Sequence, residues 1–186
     1  MRYHDITKVD MKNGDGLRVV LWLAGCSHHC KGCQNPVTWD PDDGLVFDEA
    51  AKQEIFEQLE KPYISGITFS GGDPLHKVNM PAVLGLMKEI KEKFPNKTIW
   101  VYTGDTWEEV LNRANWILKY VDVLVDGEFR IEERDTKLIW KGSKNQRVIN
   151  VQATLKQENI TIPVLHCGDY QTESNAGIPV SCSCDM

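Results

Sequence analysis

Three cysteines lie within one short segment, GCSHHCKGCQNP, at residues 25–36. Three residues separate Cys26 from Cys30, and two residues separate Cys30 from Cys33. Closed zinc sites usually take four ligands, and their cysteines commonly come in two short pairs, whereas this segment has only one such group. Three thiolates suit a [4Fe–4S] cluster that is held at three corners and keeps one iron open to a small molecule.

A zinc site is the alternative for the same segment, with the fourth ligand supplied by His28, His29 or a cysteine of the C-terminal tail. We expect the two histidines to face solvent or to lie behind the ligands rather than to bind iron. Gly25 and Gly32 favour a loop that folds tightly around a bound group, because glycine adopts backbone conformations that other residues avoid.

The composition indicates the class of protein that carries this segment. The chain has 186 residues, of which 41% are hydrophobic and 26% charged, as in one soluble globular domain. A net charge of −6 gives no attraction to nucleic acid or to an anionic membrane, so neither is expected as a partner. No apolar run approaches the ~18 residues of a membrane span, and no signal peptide is apparent. We therefore expect a cytoplasmic protein, in which clustered cysteines serve metal or redox sites.

Strand-like and helix-like segments alternate along the chain. The predicted strands cover residues 18–25, 64–70, 97–102 and 121–125, with a weaker one at 146–152. The predicted helices cover residues 48–60, 79–94 and 107–113. Asp48 is a candidate N-cap, and Thr106 with Glu109 forms a capping-box pattern. This alternation predicts an α/β fold with a mostly parallel sheet, either open or partly closed into a barrel.

The ends of four predicted strands carry polar or glycine-rich residues. They are followed by Cys26, by Ser70-Gly71-Gly72-Asp73, by Tyr102-Thr103-Gly104-Asp105 and by Asp126-Gly127. Active sites of parallel α/β proteins lie at the C-terminal ends of the strands. We therefore expect these four stretches to meet at one edge of the sheet, beside the cysteines.

Further segments around the cysteines agree with a known family. NGDGLR at 13–18, NPVTWD at 35–40 and FSGGDP at 69–74 occur in this order around the three-cysteine motif. Together they resemble the radical S-adenosylmethionine (SAM) enzymes, and specifically the activases of glycyl radical enzymes, over about residues 5 to 155. The resemblance implies a partial (β/α) barrel, which we predict for residues 1–160, followed by a cysteine-containing tail at 161–186.

The resemblance also implies a reaction. Cys26, Cys30 and Cys33 would ligate one [4Fe–4S] cluster, and SAM would bind its open iron through the amine and the carboxylate. A one-electron donor such as flavodoxin or ferredoxin would reduce the cluster, and reductive cleavage of SAM would yield a radical. That radical would remove a hydrogen atom from a glycine of a large partner enzyme.

Three residues of the FSGGDP segment are candidates to bind the SAM amine. Gly71 and Gly72 let backbone carbonyl groups approach an amine that a Cβ atom would obstruct. Asp73 would add negative charge or fix the turn, although an Asp-Pro pair is also common in ordinary turns.

Three more candidates follow the next two strands. By resemblance, Asp126 lies beside the SAM carboxylate, where two carboxylates would repel each other and a bound cation is a reasonable expectation. An ordinary aspartate at a strand end is the alternative. Tyr102 and Thr103 sit at a comparable strand end and are candidates to line the same pocket.

The segments that resemble the family also suggest the partner. Only 36 residues separate Cys33 from Ser70, too few for an inserted ferredoxin-like domain. NGDGLR and the GSKNQRVINVQ stretch at 142–152 most resemble the activases of anaerobic (class III) ribonucleotide reductases. Activases of pyruvate formate-lyase are the close alternative. A radical SAM enzyme that acts on a small molecule and a zinc-binding interaction module remain as further hypotheses.

Three other stretches have no single assigned role. The charged segment 128–143 is either a solvated face or a docking surface or flap beside Asp126. Cys167, Cys182 and Cys184 in the tail are either exposed thiols without a fixed role, a redox pair or a small metal site. Asn145, Gln146 and Arg147 are candidates to contact the adenosine or the partner, although a solvated loop explains them almost as well.

Overall fold

The computed structural model describes residues 1–166 and 180–181, so the three tail cysteines lie outside the described residues. Its strands form one open sheet: β1 (Arg2–Asp10), β2 (Leu17–Leu23), β3 (Leu45–Val46), β4 (Ile64–Gly71), β5 (Thr98–Tyr102), β6 (Val123–Asp126), β7 (Arg147–Asn150), β8 (Leu165–His166) and β9 (Val180–Ser181). The α-helices are α1 (Glu49–Leu59), α2 (Met80–Lys93), α3 (Trp107–Arg113) and α4 (Val151–Leu155). Short 3₁₀ helices cover Pro36–Thr38, Asn115–Tyr120 and Ile131–Glu133.

The strand order is β3-β1-β2-β4-β5-β6-β7-β8-β9. The predicted α/β class is confirmed, and the four strands β2, β4, β5 and β6 are parallel neighbours. Next to this centre the pairing is antiparallel on both sides, so the prediction of a mostly parallel sheet is wrong there, and β8 and β9 at one edge are parallel again. Closure of the sheet into a partial barrel stays a prediction.

The connections explain the antiparallel flanks. Only residues 11–16 join β1 to β2, and no helical crossover fits into so short a link. Between β6 and β7 the chain forms no α-helix, so β7 returns beside β6 in the opposite direction. The sequence did not indicate β1, and the weaker strand predicted at 146–152 divides into β7 and the helix α4.

The helix boundaries follow the capping residues that the sequence indicated. The Asp48 side chain accepts a hydrogen bond from the Ala51 backbone N–H at 3.0 Å, as an N-cap does. Thr106 and Glu109 form the complete capping box ahead of α3. Helix α3 therefore begins and ends where the sequence predicts.

The main hydrophobic core lies between the sheet and the helices α1, α2 and α3. Alternate residues of the central strands point into it, including Leu21, Ile67, Ile99 and Leu124, which are all buried. A smaller cluster on the other face contains Trp100, Val123, Val125 and Val148. In the described part of the chain, none of the helices combines the length and the apolar character needed to cross a bilayer.

The sheet continues past residue 160. Leu165 in β8 pairs with Ile149 in β7 and is 1% exposed. Its side chain therefore belongs to the main core. The division between residues 160 and 161 stays a prediction about sequence segments, because packing onto the sheet does not stop there.

A buried arginine connects the start of β2 to the two strands beside it. Arg18 is 1% exposed, and burial lowers its pKa to about 10. Its guanidinium donates at 2.8–3.0 Å to neutral oxygens only: the carbonyl groups of Asp15, Ile67 and Thr98 and the hydroxyl groups of Thr68 and Thr98. These five bonds join β2, β4, β5 and the glycine-rich segment 13–16.

Replacement of this arginine tests its structural role. We expect Arg18→Met to lower the free energy of unfolding by about 3 kcal/mol, because it leaves buried carbonyl groups without donors. The matched control is Arg130→Met, which removes an arginine whose side chain is 62% exposed and should change stability by less than ~0.5 kcal/mol. Urea unfolding followed by circular dichroism measures both. Equal midpoints for the wild type and Arg18→Met would contradict the role.

Candidate functional site

The cysteine loop leaves the sheet at the C-terminal end of β2. Gly25 has φ +99°, and its N–H donates to the Thr38 carbonyl at 2.8 Å. The Cys26 N–H donates to the Trp39 carbonyl at 3.0 Å, and the Cys33 N–H donates to the Cys30 carbonyl at 3.0 Å. Main-chain hydrogen bonds therefore fix the loop to the residues that follow it in the chain, without any ligand.

The three thiols are free and partly exposed. Burial raises the pKa of the Cys26 thiol to about 11, and the neighbouring Asp73 carboxylate and Cys30 thiol add to the rise. Burial also raises the pKa of the Cys30 thiol, and the Cys33 thiol adds to this rise. A bound metal would supply the positive charge that the ionised forms of these thiols need.

Backbone donors accompany each thiol. The backbone N–H groups of His28 and Phe129 act on the Cys26 and Cys30 thiols, respectively, and each lowers the pKa of the thiol concerned. The Asn35 N–H bonds to the Cys33 sulfur at 3.4 Å. Such donors stabilise thiolates and tune iron–sulfur clusters, so the donor set fits a three-cysteine cluster.

The turn after β4 is interlocked with the start of the cysteine loop. The Gly72 N–H donates to the Leu23 carbonyl at 2.7 Å, and the Asp73 N–H donates to the Gly25 carbonyl at 2.8 Å. Gly71 has φ +92°, which favours glycine. A Cβ atom at Gly72 would lie 2.5 Å from the Gly25 carbonyl oxygen. The glycine pair thus lets the two chain segments approach each other directly before Cys26.

The Asp73 carboxylate lies in this interlocked turn. Its side chain is 2% exposed, and Oδ1 accepts a hydrogen bond from the Leu75 N–H at 2.8 Å. Its Oδ2 lies 2.9 Å from Nε2 of His28. One carboxylate oxygen therefore closes the turn, and the other faces the cysteine loop.

His28 is the centre of an acidic group at the edge of the sheet. Its Nε2 is 2.9 Å from Asp73 Oδ2 and 3.7 Å from Asp105 Oδ1, and its Nδ1 is 3.0 Å from Glu128 Oε1. The hydrogen bond with Asp73 is the main cause that raises the pKa of His28 to about 9. Burial, with a contribution from Asp73, raises the pKa of Asp105, which also pairs with Arg113.

The sequence analysis only partly anticipated this group. We expected each histidine either to face solvent or to lie behind the ligands; His29 is exposed, and His28 is largely buried and contacts carboxylates. Asp105 and Glu128 were not chosen as site residues, although each lies three residues after the end of a predicted strand. The expectation that the four strand ends meet at one edge is confirmed by these contacts. It covered Asp105, whereas Glu128 lies directly after the Asp126-Gly127 stretch and was outside it.

The side-chain hydroxyl groups of Tyr102 and Thr103 make hydrogen bonds within the protein. The Tyr102 hydroxyl donates to the Trp140 carbonyl at 2.7 Å, and burial raises the pKa of this hydroxyl. The Thr103 hydroxyl accepts the Asp105 N–H at 3.2 Å. Both side chains thus have internal partners, and contact with SAM stays a prediction for each.

Asp126 is also engaged inside the protein. It is 1% exposed, and its carboxylate accepts from the Trp107 N–H at 2.7 Å and from Arg147 Nη2 at 2.5 Å. Burial raises the pKa of Asp126, and the bonds from Arg147 and Trp107 oppose this rise. Arg147 also pairs with Glu108 at 3.0 Å. The guanidinium thus supplies positive charge where the sequence analysis expected a bound cation.

The segment after Asp126 packs against the cysteine loop. Besides the contacts of Glu128 and Phe129, the Ile131 side chain lies where a Cβ atom at Gly32 would touch it, at 3.1 Å. Asn145 Nδ2 donates to the Glu128 carbonyl at 2.8 Å, which fixes this segment from behind. The part of 128–143 nearest the cysteines is therefore a structural wall of the site.

The glycine pair gives a prediction with an internal control. We expect Gly72→Ala to displace the Gly25 carbonyl, to destabilise the protein by about 1–3 kcal/mol and to lower the iron bound after anaerobic reconstitution. Gly85→Ala is the control: its Cβ would meet nothing within 4 Å in helix α2, so it should stabilise by roughly 0.5–1 kcal/mol. Urea unfolding and iron analysis measure both; identical behaviour of the two variants would contradict the interlocked turn.

Comparison with known proteins agrees with this arrangement. The model of a family described as a 4Fe-4S single cluster domain matches residues 12–149. The anaerobic ribonucleoside-triphosphate reductase-activating protein of Haemophilus influenzae is 40% identical over 148 residues, which cover 78% of this chain and 96% of that protein. The proteins of the same name from bacteriophage T4 and Escherichia coli K12 are each 41% identical, and the alignments cover 80% of this chain and 93% and 97% of theirs. The chain therefore belongs to the family of anaerobic ribonucleoside-triphosphate reductase-activating proteins.

Proposed function

We propose that this protein is a radical SAM activase that generates the glycyl radical of an anaerobic ribonucleotide reductase. The observation that carries this proposal is membership of a family whose members are named as activating proteins of an anaerobic ribonucleoside-triphosphate reductase, and the free three-cysteine loop at the sheet edge agrees with it. The names of the relatives favour a reductase over pyruvate formate-lyase as the partner. We place the protein in the cytoplasm, with a flavodoxin or ferredoxin as electron donor.

Cys26, Cys30 and Cys33 are the proposed ligands of one [4Fe–4S] cluster. Each sulfur lies beside a backbone N–H donor, and the loop that carries them is fixed at both ends by main-chain hydrogen bonds. Three protein ligands leave one iron for SAM. When bound together, the cluster and SAM supply reductive cleavage of SAM and abstraction of a hydrogen atom from glycine.

Gly71, Gly72 and Asp73 are the proposed binding site of the SAM amine. The turn that carries the glycines is hydrogen-bonded to Leu23 and Gly25, directly before Cys26, and Asp73 adds a buried carboxylate. An ammonium group placed there would gain a charge-assisted bond to Asp73 Oδ2. These residues thus orient SAM, and their position behind the cysteine loop limits the access of water.

The remaining proposals concern the side of the SAM pocket beside β5 and β6. Tyr102, Thr103 and Asp126 follow these strands at the same sheet edge and are the proposed lining. A metal cation beside Asp126 would share that carboxylate with Arg147, which already pairs with it. The partial (β/α) barrel of the radical SAM type is proposed from the parallel centre β2-β4-β5-β6.

The cysteine assignment predicts the metal content of single variants. We expect Cys30→Ala to bind less than about a tenth of the wild-type iron after anaerobic reconstitution, because each thiolate of a three-cysteine site holds one iron. Ser27→Ala, an exposed position of the same loop, is the matched control and should bind wild-type iron. Full iron content and SAM cleavage in Cys30→Ala would refute the ligand set.

The proposed activity predicts a radical on the partner. Reduced protein, SAM and the large subunit of the anaerobic reductase, mixed under argon, should yield a glycyl radical doublet in electron paramagnetic resonance spectra. Omission of SAM should abolish the doublet. A doublet on pyruvate formate-lyase alone would change the partner and keep the chemistry, whereas no SAM cleavage with any partner or reductant would reject the function.

A further inference from the structure

We propose that His28 is a positioning residue that locks the cysteine loop onto the ends of three strands and thereby fixes the orientation of Asp73 toward SAM. The proposal rests on the function proposed above and names a residue that serves the same site. His28 lies between Cys26 and Cys30 in the chain, so the loop that carries its ring also carries two of the proposed cluster ligands.

The contacts of His28 reach across the whole edge of the parallel sheet. Asp73 follows β4, Asp105 follows β5 and Glu128 follows β6, and the imidazole lies 2.9 Å, 3.7 Å and 3.0 Å from their carboxylate oxygens. The His28 side chain is only 15% exposed. A single ring therefore joins the loop after β2 to the loops after the other three parallel strands.

The space that the His28 ring occupies exists because residue 104 is a glycine. A Cβ atom at Gly104 would overlap the His28 ring carbons and nitrogen. The backbone after β5 thus approaches the imidazole more closely than any other residue type permits. The close fit leaves the ring little freedom to rotate, and it holds both ring nitrogens toward acidic partners.

The two carboxylate oxygens of Asp73 have different partners, and this difference shows which oxygen the His28 ring orients. Oδ1 of Asp73 is bound by the Leu75 N–H, so the orientation of Oδ2 depends on its 2.9 Å contact with His28. Oδ2 is also the oxygen that the proposed function assigns to the SAM amine. Without the imidazole, Oδ2 would lose its neighbour on the side of the cysteine loop, and the amine site would lose a fixed distance to the cluster ligands.

The same atoms are close enough together to hold a metal ion, but their partners favour positioning. The ligand atoms of His28, Asp73 and Asp105 lie within 4.8 Å of one another. Arg113 already pairs with Asp105, and Asp73 and His28 are hydrogen-bonded to each other. A guanidinium and an imidazole thus already occupy these carboxylates, and the group acts as a brace between loops.

Three variants of the full-length protein test the inference. His28→Ala removes the brace, and His28→Gln keeps a side-chain amide that can donate to Asp73. His29→Gln is the matched control, because His29 is exposed in the same loop and its ring packs on Trp39 at 4.8 Å. The readouts are iron content, the SAM-induced change in the electron paramagnetic resonance spectrum of the reduced cluster, and KM and kcat for SAM cleavage.

We expect His28→Ala to raise KM for SAM about 10-fold or more, as loss of a residue behind metal ligands commonly does, and to weaken the SAM-induced spectral change. His28→Gln should recover at least half of that spectral change, and His29→Gln should match the wild type. If His28→Ala fails to retain the cluster, the inference is tested by comparing the SAM-induced spectral change of His28→Gln with that of His29→Gln.

Two results would overturn the inference. A wild-type spectral change and KM in His28→Ala would show that the ring does not position the SAM site. A His28→Gln variant no better than His28→Ala in the SAM-dependent readouts would show that the contact with Asp73 is not what matters. If the wild type itself shows no spectral response to SAM, the proposed function fails, and this result is distinct because it does not involve the variants.

Discussion

The alignment of β2 with β4 and β5 depends on the buried guanidinium of Arg18. Its five donors are all used by oxygens of β4, β5 and the segment before β2, so the three strands cannot slide relative to one another without breaking several bonds. A buried charge that is satisfied only by neutral groups is costly, and burial lowers its pKa. In return, this one side chain sets the register of the strands. The cysteine loop lies at the opposite, C-terminal ends of the same strands.

At their C-terminal ends the same strands are joined by main-chain bonds and by ion pairs instead of by a buried arginine. Main-chain bonds interlock the loops after β2 and β4, and a histidine with three carboxylates joins these loops to those after β5 and β6. Further along, Arg147 pairs with Asp126 and Glu108, which connects β6, β7 and α3. The candidate site is thus surrounded by paired charges, and the thiols are supplied with backbone donors.

Much of this arrangement follows from local patterns in the sequence. The caps at Asp48 and Thr106, the helix α3 and the meeting of four strand ends at one edge all depend on short-range patterns or on a general rule for parallel sheets. Partners distant in sequence could not be predicted in this way. The pairing of Asp126 with Arg147 requires knowledge that β7 returns antiparallel, and the burial of His28 requires the position of Gly104. The strand β1 was missed because its alternating polar residues are also typical of an exposed loop.

The contact between His28 and Glu128 spans 100 residues of sequence, and this separation has a consequence for biosynthesis. Ribosomes add about 5–20 residues per second, so the cysteine loop emerges roughly 5–20 seconds before the wall that closes over it. During this interval the nascent thiols lack the donor at Phe129 and are open to oxygen and to competing metals such as zinc. The wall can therefore close over the cysteine loop only late in synthesis, after residue 129 has been added.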